Sequence, residues 1–257
     1  MLKIKVLGIC GSPFLKGNTE RLLEEALKGA EMVGAETELI PLADKRIEDC
    51  NQDNWCMNNS REGKYCSIED DMVEIYPKVL DADALILASP TYITRMTPLM
   101  AKFLDRLRTF AWGNCRGLLR NKVGAAVAVA WHRYGGVETT LMSMVQAFLL
   151  FEMVIASVHH SGAYYGAGGV SSLRGSGEFD PKDKLQILKD DVGMRAARDI
   201  GIRTVELARI VKAGTEVLIQ RALADPKEKS PYLFKIGPIA RKRFGIERLP
   251  KEGYIVE

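Results

Sequence analysis

Short apolar runs alternate with longer amphipathic stretches over most of this chain. The apolar runs predict five β-strands, at residues 4–9, 36–42, 84–88, 123–130 and 153–158. Between them apolar positions recur every three or four residues, which predicts α-helices at 20–33, 68–80, 99–110, 138–150 and 191–212. This alternation predicts an α/β fold, with a parallel sheet covered by helices on both faces. The order 2-1-3-4-5 is common for five strands, and ligands then bind beyond their carboxyl ends.

Two segments lie outside this alternation. Residues 45–67 are polar and contain three of the five cysteines, so we expect an insertion within a domain spanning residues 1–213. Residues 214–257 form a C-terminal extension that begins with a helix at 215–225. It then carries Pro226, Pro231, Pro238 and Pro250, which favour an extended arm. Its apolar residues predict a subunit contact in a homodimer or homotetramer, and they are Tyr232, Leu233, Phe234, Ile236 and Ile239.

Composition and charge exclude several classes of protein. A chain of 257 residues with 47% apolar and 27% charged residues can bury a large core, which argues against disorder. The net charge is +3, and residues 226–257 carry eight Lys or Arg against four Glu, an excess too weak to predict nucleic-acid binding. No apolar run approaches the roughly 20 residues of a membrane helix. The N-terminus begins directly with a strand-like run, so we expect a cytoplasmic protein without a signal peptide.

The loop after the first predicted strand has the features of a phosphate site. It reads Gly11-Ser12-Pro13-Phe14-Leu15-Lys16-Gly17-Asn18-Thr19 and opens a helix. Backbone N–H groups, the hydroxyls of Ser12 and Thr19, and the positive end of a helix dipole together favour a dianionic phosphate. The loop is neither a Walker loop nor a Gly-x-Gly-x-x-Gly fingerprint. An ordinary turn into a helix capped by Asn18 or Thr19 is the alternative interpretation.

Three further loops are expected at the same edge of the sheet. In residues 88–94, Pro90 and Tyr92 can shape a flat apolar slot, while backbone groups can bind the polar edge of a heterocycle. The loop 130–140 contains two adjacent glycines that allow a ligand to approach the backbone. The loop 162–169 follows the fifth predicted strand and is rich in glycine. The candidate ligand contacts are Pro90, Thr91, Tyr92, Ile93, Trp131, His132, Arg133, Gly135, Gly136 and Tyr165.

As a set, these motifs resemble the NADPH-dependent FMN reductase and iron–sulfur flavoprotein group of the flavodoxin-like superfamily. The matching pieces span residues 3–212 and are Gly11-Ser12-Pro13, Gly17-Asn18-Thr19, Ser89-Pro90-Thr91-Tyr92, Phe103-Leu104-Asp105-Arg106, Gly135-Gly136-x-Glu138-Thr139-Thr140, Asp191-x-Gly193 and Ala197-Arg198-x-x-Gly201. The resemblance implies a flavodoxin-like three-layer sandwich that binds FMN. It also implies that the first loop holds the phosphate, with Ser12, Asn18 and Thr19 at phosphate positions, and that Pro90, Thr91 and Tyr92 contact the ring. Trp131, His132 and Arg133 depart from the small polar residues expected in the third loop.

The cysteines of the insertion form a candidate metal site, Cys50-x2-Asp53-x2-Cys56-x9-Cys66. This spacing resembles the Cys-x2-Cys-x2-Cys motif of iron–sulfur flavoproteins, with Asp53 at the second position and a longer last gap. The resemblance implies a 4Fe-4S cluster with a carboxylate in place of one thiolate, or a 3Fe-4S cluster on the three cysteines. Zinc bound by three cysteines and an aspartate, or a loop without metal, are the alternatives. Cys10 and Cys115 are expected to be structural.

The leading hypothesis is an FMN-dependent oxidoreductase or electron carrier in which the flavin carries the chemistry and no side chain acts as catalyst. NAD(P)H or ferredoxin would supply electrons, and a small molecule or protein would accept them. One alternative is a quinone or azo-compound reductase that uses NAD(P)H on the same fold. A second is a non-catalytic FMN-binding protein that senses redox state through the cysteine insertion.

Overall fold

The computed structural model of the chain describes residues 2–225 and 236–247. Its strands are β1 (Lys5–Cys10), β2 (Glu36–Pro41), β3 (Ala84–Pro90), β4 (Val123–Ala130), β5 (Val154–Ile155) and β6 (Ala167–Val170). Its α-helices are α1 (Asn18–Met32), α2 (Trp55–Asn59), α3 (Met72–Asp81), α4 (Pro98–Arg106), α5 (Val137–Leu150), α6 (Asp191–Ala224) and α7 (Pro238–Arg243).

The strands form one parallel sheet in the order β2-β1-β3-β4-β5, and β6 also pairs with β4. This confirms the predicted fold class and strand order. β4 is buried along its whole length, as expected for a continuous apolar run at the centre of a sheet covered on both faces. The carboxyl ends of the strands therefore meet at one edge, where the predicted loops lie.

The fifth strand position differs from the prediction. β5 pairs with β4 only through Val154 and Ile155, and β6 pairs with the far end of β4. The intervening 156–166 loop leaves the sheet because a tight turn diverts the chain, closed by the N–H of Gly162 donating to the carbonyl of His159 at 3.0 Å. The predicted glycine-rich loop at 162–169 was thus wrong for Gly168 and Gly169, which lie in β6.

Helices cover both faces of the sheet and enclose two apolar clusters. α1 and α6 cover one face, and they pack so closely that a Cβ on Gly201 would lie 1.8 Å from the carbonyl oxygen of Ala26. α3, α4 and α5 cover the other face. No helix among residues 2–225 and 236–247 is long and apolar enough to cross a membrane.

Several helix boundaries differ from the prediction. α3 begins at Met72, not at residue 68, because Asp70 and Asp71 accept hydrogen bonds from the N–H groups of Glu48 and Arg46 at 2.8 Å each. These bonds hold the preceding residues outside the helix. α6 continues without a break to Ala224, through the boundary expected at residue 213.

Residues 236–247 pack on the body of the same chain. Ile236, Ala240 and Ile246 are buried in the cluster that includes Cys115. Ile236 was expected in a subunit contact, but it packs within its own chain, so close to Gly117 that a Cβ there would come within 2.5 Å of its Cγ2 atom. Pro238 begins α7, so this part of the predicted arm is helical. Pro226, Pro231, Pro250, Tyr232, Leu233 and Phe234 lie outside the described residues.

Candidate functional site

The first loop places the N-terminus of α1 directly after β1. Gly17 is the N-cap residue, and no side chain caps the helix. The first N–H groups of a helix have no partner within it, so those of Asn18 and Thr19 are available to an anion. The loop is shaped by Ser12, whose Oγ accepts a hydrogen bond from the N–H of Phe14 at 3.1 Å. These features fit the phosphate of FMN.

The Asn18 side chain bonds to a distant segment of the chain. Its amide donates to the carbonyl of Lys184 at 2.9 Å and accepts from the N–H of Ile187 at 3.0 Å. It therefore ties the first loop to the segment before α6. Nearby, the carboxylate of Glu20 accepts the N–H of Lys16 at 2.8 Å, which holds the middle of the loop.

The second loop contains a tight turn with unusual backbone angles. Tyr92 and Arg95 pair with each other through N–H···O bonds of 2.8 and 3.2 Å. Between them Ile93 has φ +46° and Thr94 has φ +59°, values that β-branched residues rarely adopt. Two-residue turns of this kind usually contain Asn-Gly. Strain of this type costs about 1–3 kcal/mol per residue and is common at binding sites.

Thr97 joins the first loop to the second, and sequence reasoning missed it. Its buried Oγ1 donates to the carbonyl of Gly11 at 2.6 Å and accepts the N–H of Met100 at 3.1 Å, so it also caps α4. Its own N–H donates to Oγ of Ser89 at 3.0 Å. The sequence does carry a signal for this role, because Thr97 followed by Pro98 is a capping residue followed by proline at the first helical position.

The second and third loops are held together around Gly136, the N-cap of α5. Gly136 has φ +94°, and a Cβ there would lie 2.7 Å from the Cα of Thr94. Oγ1 of Thr140 donates to Oγ1 of Thr91 at 3.0 Å, and the N–H of Thr91 donates to the carbonyl of Val129 at 2.8 Å. The residues predicted to contact the flavin ring are therefore connected to one another by hydrogen bonds and close contacts.

Residues 172–179, which sequence reasoning did not include, cover the start of the third loop. Trp131 donates its indole N–H to the carbonyl of Gly177 at 3.0 Å, and its ring lies 6.0 Å from that of Phe179. The N–H of Arg133 donates to the carbonyl of Gly175 at 3.0 Å. His132 is also in contact with this segment, because a Cβ on Gly177 would lie 2.1 Å from its ring. The large residues at 131–133 thus pack against a neighbouring segment.

Large apolar side chains are exposed along this edge of the sheet. They come from the first three loops, the 156–166 loop and the 172–179 segment, and they are Phe14, Leu15, Tyr92, Ile93, Trp131, Tyr134, Tyr164, Tyr165 and Phe179. Exposed apolar residues in such numbers are typical of a binding surface. Tyr165, predicted as a cofactor contact, belongs to this group and lies beside β6.

The cysteine insertion brings its candidate ligands near one another without forming a metal-binding group. Burial raises the pKa of the Cys56 thiol, the Arg108 guanidinium opposes this, and Cys66, Cys50 and Asp53 each raise the pKa further. Asp53 is bound to its own loop, since its carboxylate accepts the Ser67 hydroxyl at 2.6 Å and the Trp55 N–H at 2.9 Å. Among the described residues, no three His, Cys, Asp or Glu converge as metal ligands.

The other two cysteines are buried in the core, as expected for structural residues. Burial raises the pKa of the Cys10 thiol to about 12, which removes it from thiolate chemistry near neutral pH. The Cys115 thiol is buried on the opposite side of the sheet, and its pKa is also raised by burial.

A buried ion pair fixes the insertion to the domain. The guanidinium of Arg106 and the carboxylate of Asp70 are both fully buried and joined by two hydrogen bonds, at 2.5 and 3.2 Å. Arg106 also donates to the carbonyl of Glu48 at 2.9 Å. Burial alone would raise the pKa of Asp70, but the bonds from Arg106 and from the Glu48 N–H hold it below its ordinary value. The chain just before Cys50 is therefore anchored.

A doubly wound sheet with an uncapped helix N-terminus and an apolar rim at its carboxyl edge is typical of flavodoxin-like proteins. Residues 4–163 match the family model described as NADPH-dependent FMN reductase. The chain belongs to this family, and it is an FMN-binding flavoprotein oxidoreductase.

Similar proteins include iron-sulfur flavoproteins of archaea. One from Methanocaldococcus jannaschii is 39% identical over 209 residues, 81% of this chain and 100% of that protein. One from Archaeoglobus fulgidus is 31% identical over 81% of this chain and 98% of its own length. Among solved structures, RosB with a bound 8-demethyl-8-formylriboflavin-5'-phosphate shares the fold with a TM-score of 0.65, 19% identity, and coverage of 91% of this chain and 90% of RosB.

Proposed function

We propose that FMN lies at the carboxyl edge of the sheet, with its phosphate on the N-terminus of α1. The observation that carries this proposal is the N-terminus itself, which has Gly17 as N-cap and no capping side chain. The positive end of the helix dipole and the N–H groups of its first turn favour a doubly charged phosphate. When bound, the flavin supplies the redox chemistry.

The chain's own residues bind and orient this cofactor. Ser12 and Thr19 lie in the phosphate loop, and both are buried. Pro90, Thr91, Tyr92 and Ile93 form the proposed support for the ring, held in place by Thr97 and by the contact between Gly136 and Thr94. In this proposal NAD(P)H or a protein such as ferredoxin donates electrons. A quinone or azo-compound reductase and a redox sensor are the alternatives.

The phosphate assignment is tested by titrating flavin-free protein with FMN and with riboflavin, which lacks the phosphate. Replacing Ser12 and Thr19 together with Ala should weaken FMN binding by about 1.5–3 kcal/mol for each hydroxyl, the range for bonds to charged groups. Riboflavin affinity should not change. Equal losses for both ligands, or no loss for FMN, would contradict the assignment. We also expect FMN and not FAD to copurify, because the loop lacks a dinucleotide fingerprint.

We further propose that the insertion binds an iron–sulfur cluster through Cys50, Cys56 and Cys66. The segment offers three thiols, the ligands that iron–sulfur clusters prefer. Cys50 and Cys66 lie close enough to Cys56 to raise the pKa of its thiol. Similar proteins are named iron-sulfur flavoproteins. As arranged, however, the four residues do not fit a cluster, since Asp53 is bound to Ser67 and Trp55. Loading would require this segment to rearrange.

We also propose that the protein is cytoplasmic and forms a homodimer or homotetramer. The apolar rim at the carboxyl edge supports a contact between subunits or with a protein electron partner. Light scattering tests the oligomeric state, because a monomer of 28.5 kDa would contradict it. Cell fractionation tests the location.

A further inference from the structure

A small pocket lies at the amino edge of the sheet, opposite the edge proposed for FMN. Asp83 and Lys122 line this amino-edge pocket, and they directly precede β3 and β4. α6 and α7 form further walls through Lys212 and Arg243. The pocket has a volume of about 140 Å³, smaller than the roughly 300–1,000 Å³ of sites for larger organic ligands. It therefore suits a small ion or a single chemical group.

Cations outnumber carboxylates in the walls of the amino-edge pocket. The four cations are Arg120, Lys122, Lys212 and Arg243, and they face the carboxylate of Asp83. Two of these cations are already paired, since Lys212 lies 3.0 Å from Asp83 and Arg120 forms an ion pair with Glu152. Lys122 and Arg243 form no ion pair with any carboxylate of residues 2–225 and 236–247, and they bind carbonyl groups instead.

Lys122 and Arg243 converge on one carbonyl oxygen at the C-terminal end of α3. The Lys122 ammonium donates to the carbonyl of Leu80 at 2.9 Å, and the Arg243 guanidinium donates to the same oxygen at 2.8 Å. Lys122 also donates to the carbonyl of Ala82, the C-cap of α3. The negative end of this helix dipole is equivalent to about half a unit charge. Because it faces two unit charges, a net positive charge remains at the pocket.

The pKa of Lys122 reflects this excess of positive charge. It is lowered to about 8, mainly by burial and next by the positive charge of Arg243. Asp83 and Asp81 oppose the shift without cancelling it. An anion at hydrogen-bond distance would stabilise the ammonium, because a charge-assisted bond offsets lost hydration.

Both cations have N–H donors left for a ligand. An ammonium has three N–H groups and a guanidinium has five. In the part of the chain that the structure describes, Lys122 uses two of its donors and Arg243 uses one. Asp83 would repel an anion, but its carboxylate is already bound by Lys212 and by the N–H of Lys5 at 2.9 Å. A doubly charged oxyanion matches the two remaining cations and accepts several hydrogen bonds at once.

We propose that the amino-edge pocket binds a phosphate group through Lys122 and Arg243, either as free phosphate or as part of a small metabolite. This site is separate from the proposed FMN phosphate site, because the two lie at opposite edges of the sheet. The anion would connect the end of α3 with α7, and so stabilise the packing of residues 236–247 on the body of the chain.

The test is isothermal titration calorimetry of the FMN-loaded protein with inorganic phosphate, in chloride buffer at constant ionic strength. Bound FMN keeps the added phosphate out of the first loop. Arg243 is the position to change because it is exposed, whereas removal of Lys122 would take a donor from two carbonyls. Arg243→Gln keeps a donor for Leu80 but loses the charge. It should raise Kd about 10-fold or more, the effect of losing a bond between charged groups.

Lys242→Gln is the matched control, because it removes the same charge from the neighbouring residue. The Lys242 ammonium lies 3.5 Å from the carboxylate of Glu62 and does not line the pocket. This variant should leave Kd unchanged. Equal losses in the two variants would indicate a general attraction of anions to the basic C-terminal region and would overturn the inference.

AMP is the second probe, and it distinguishes the two sources of the phosphate group. Binding of inorganic phosphate alone supports a site for the free anion. Binding of AMP that is weakened by Arg243→Gln and not by Lys242→Gln supports a site for a phosphorylated metabolite. If neither probe binds, or if Arg243→Gln leaves both affinities unchanged, the inference is wrong.

Discussion

The hydroxyl of Thr97 donates to the carbonyl oxygen of Gly11 at 2.6 Å. This bond connects the loop after β1 with the start of α4, and so connects the proposed phosphate site with the proposed ring site. The two residues are far apart in sequence, and both loops leave neighbouring strands of the sheet. Together with the bond from the Gly11 N–H to the Ala88 carbonyl at 2.7 Å, this buried side chain holds the two halves of the proposed FMN site in position.

Replacing Thr97 with Val should weaken FMN binding and lower stability. The variant keeps the shape of the side chain but loses the bond to Gly11 and the cap of α4, which is worth about 0.5–2 kcal/mol. Thr97→Ser keeps the hydroxyl and serves as the control. Chemical denaturation and FMN titration measure the two effects. A valine variant with wild-type FMN affinity would show that the link does not organise the site.

Gly136→Ala should disrupt the junction of the second and third loops. The new methyl group would meet the backbone of Thr94 at about 2.7 Å, in addition to the strain of φ +94°. Gly34→Ala is the control. Gly34 has a similar φ of +83°, but the nearest atom to a new Cβ would be 3.7 Å away, so this variant measures backbone strain alone. We expect the first variant to lose FMN affinity and the second to retain it, as measured by flavin fluorescence. Similar FMN affinities in the two variants would show that the contact between Gly136 and Thr94 does not organise the FMN site.

Much of this arrangement followed from local patterns in the sequence. The apolar runs of β1, β3 and β4 and the loop from Gly11 to Thr19 predicted the sheet and the side where ligands bind. The split of the fifth strand was missed because residues 153–158 are apolar except for Ser157 and so resemble one strand, whereas the turn at Gly162 that diverts the chain lies beyond them. The 172–179 segment was missed because its contacts with Trp131 and Arg133 join residues distant in sequence.

The buried pair of Asp70 and Arg106 predicts a specific acid sensitivity. The pKa of Asp70 is held below its ordinary value, so the pair's stabilisation is complete above about pH 4, the unfolded value. It is lost as pH falls through the lowered folded pKa. At pH 7, Asp70→Asn should cost about 3–5 kcal/mol by leaving a buried charge unpaired.

Asp81→Asn is the matched control, since its pair with Lys5 is exposed and should contribute little to stability. Denaturant unfolding at neutral and acidic pH measures both variants. The stability difference between wild type and Asp70→Asn should shrink as Asp70 becomes protonated. A difference that is constant with pH would contradict the assignment.

The cluster proposal predicts iron and sulfide in protein purified without oxygen. Cys56→Ser should abolish both and leave FMN bound, because the insertion and the phosphate loop are separate segments. Asp53→Cys should give a more robust four-iron cluster, since iron prefers thiolate. Metal analysis and the absorbance spectrum measure these outcomes. Full flavin without iron, with three freely titrating thiols, would make the insertion structural and favour the nicotinamide-dependent reductase.

A crystal structure of the FMN complex would show directly where the phosphate binds. We expect phosphate oxygens about 2.7–3.2 Å from the backbone nitrogens of Asn18 and Thr19, the normal range for such bonds. We also expect the flavin ring beside the turn at Ile93. A phosphate bound away from the N-terminus of α1 would contradict the proposed site.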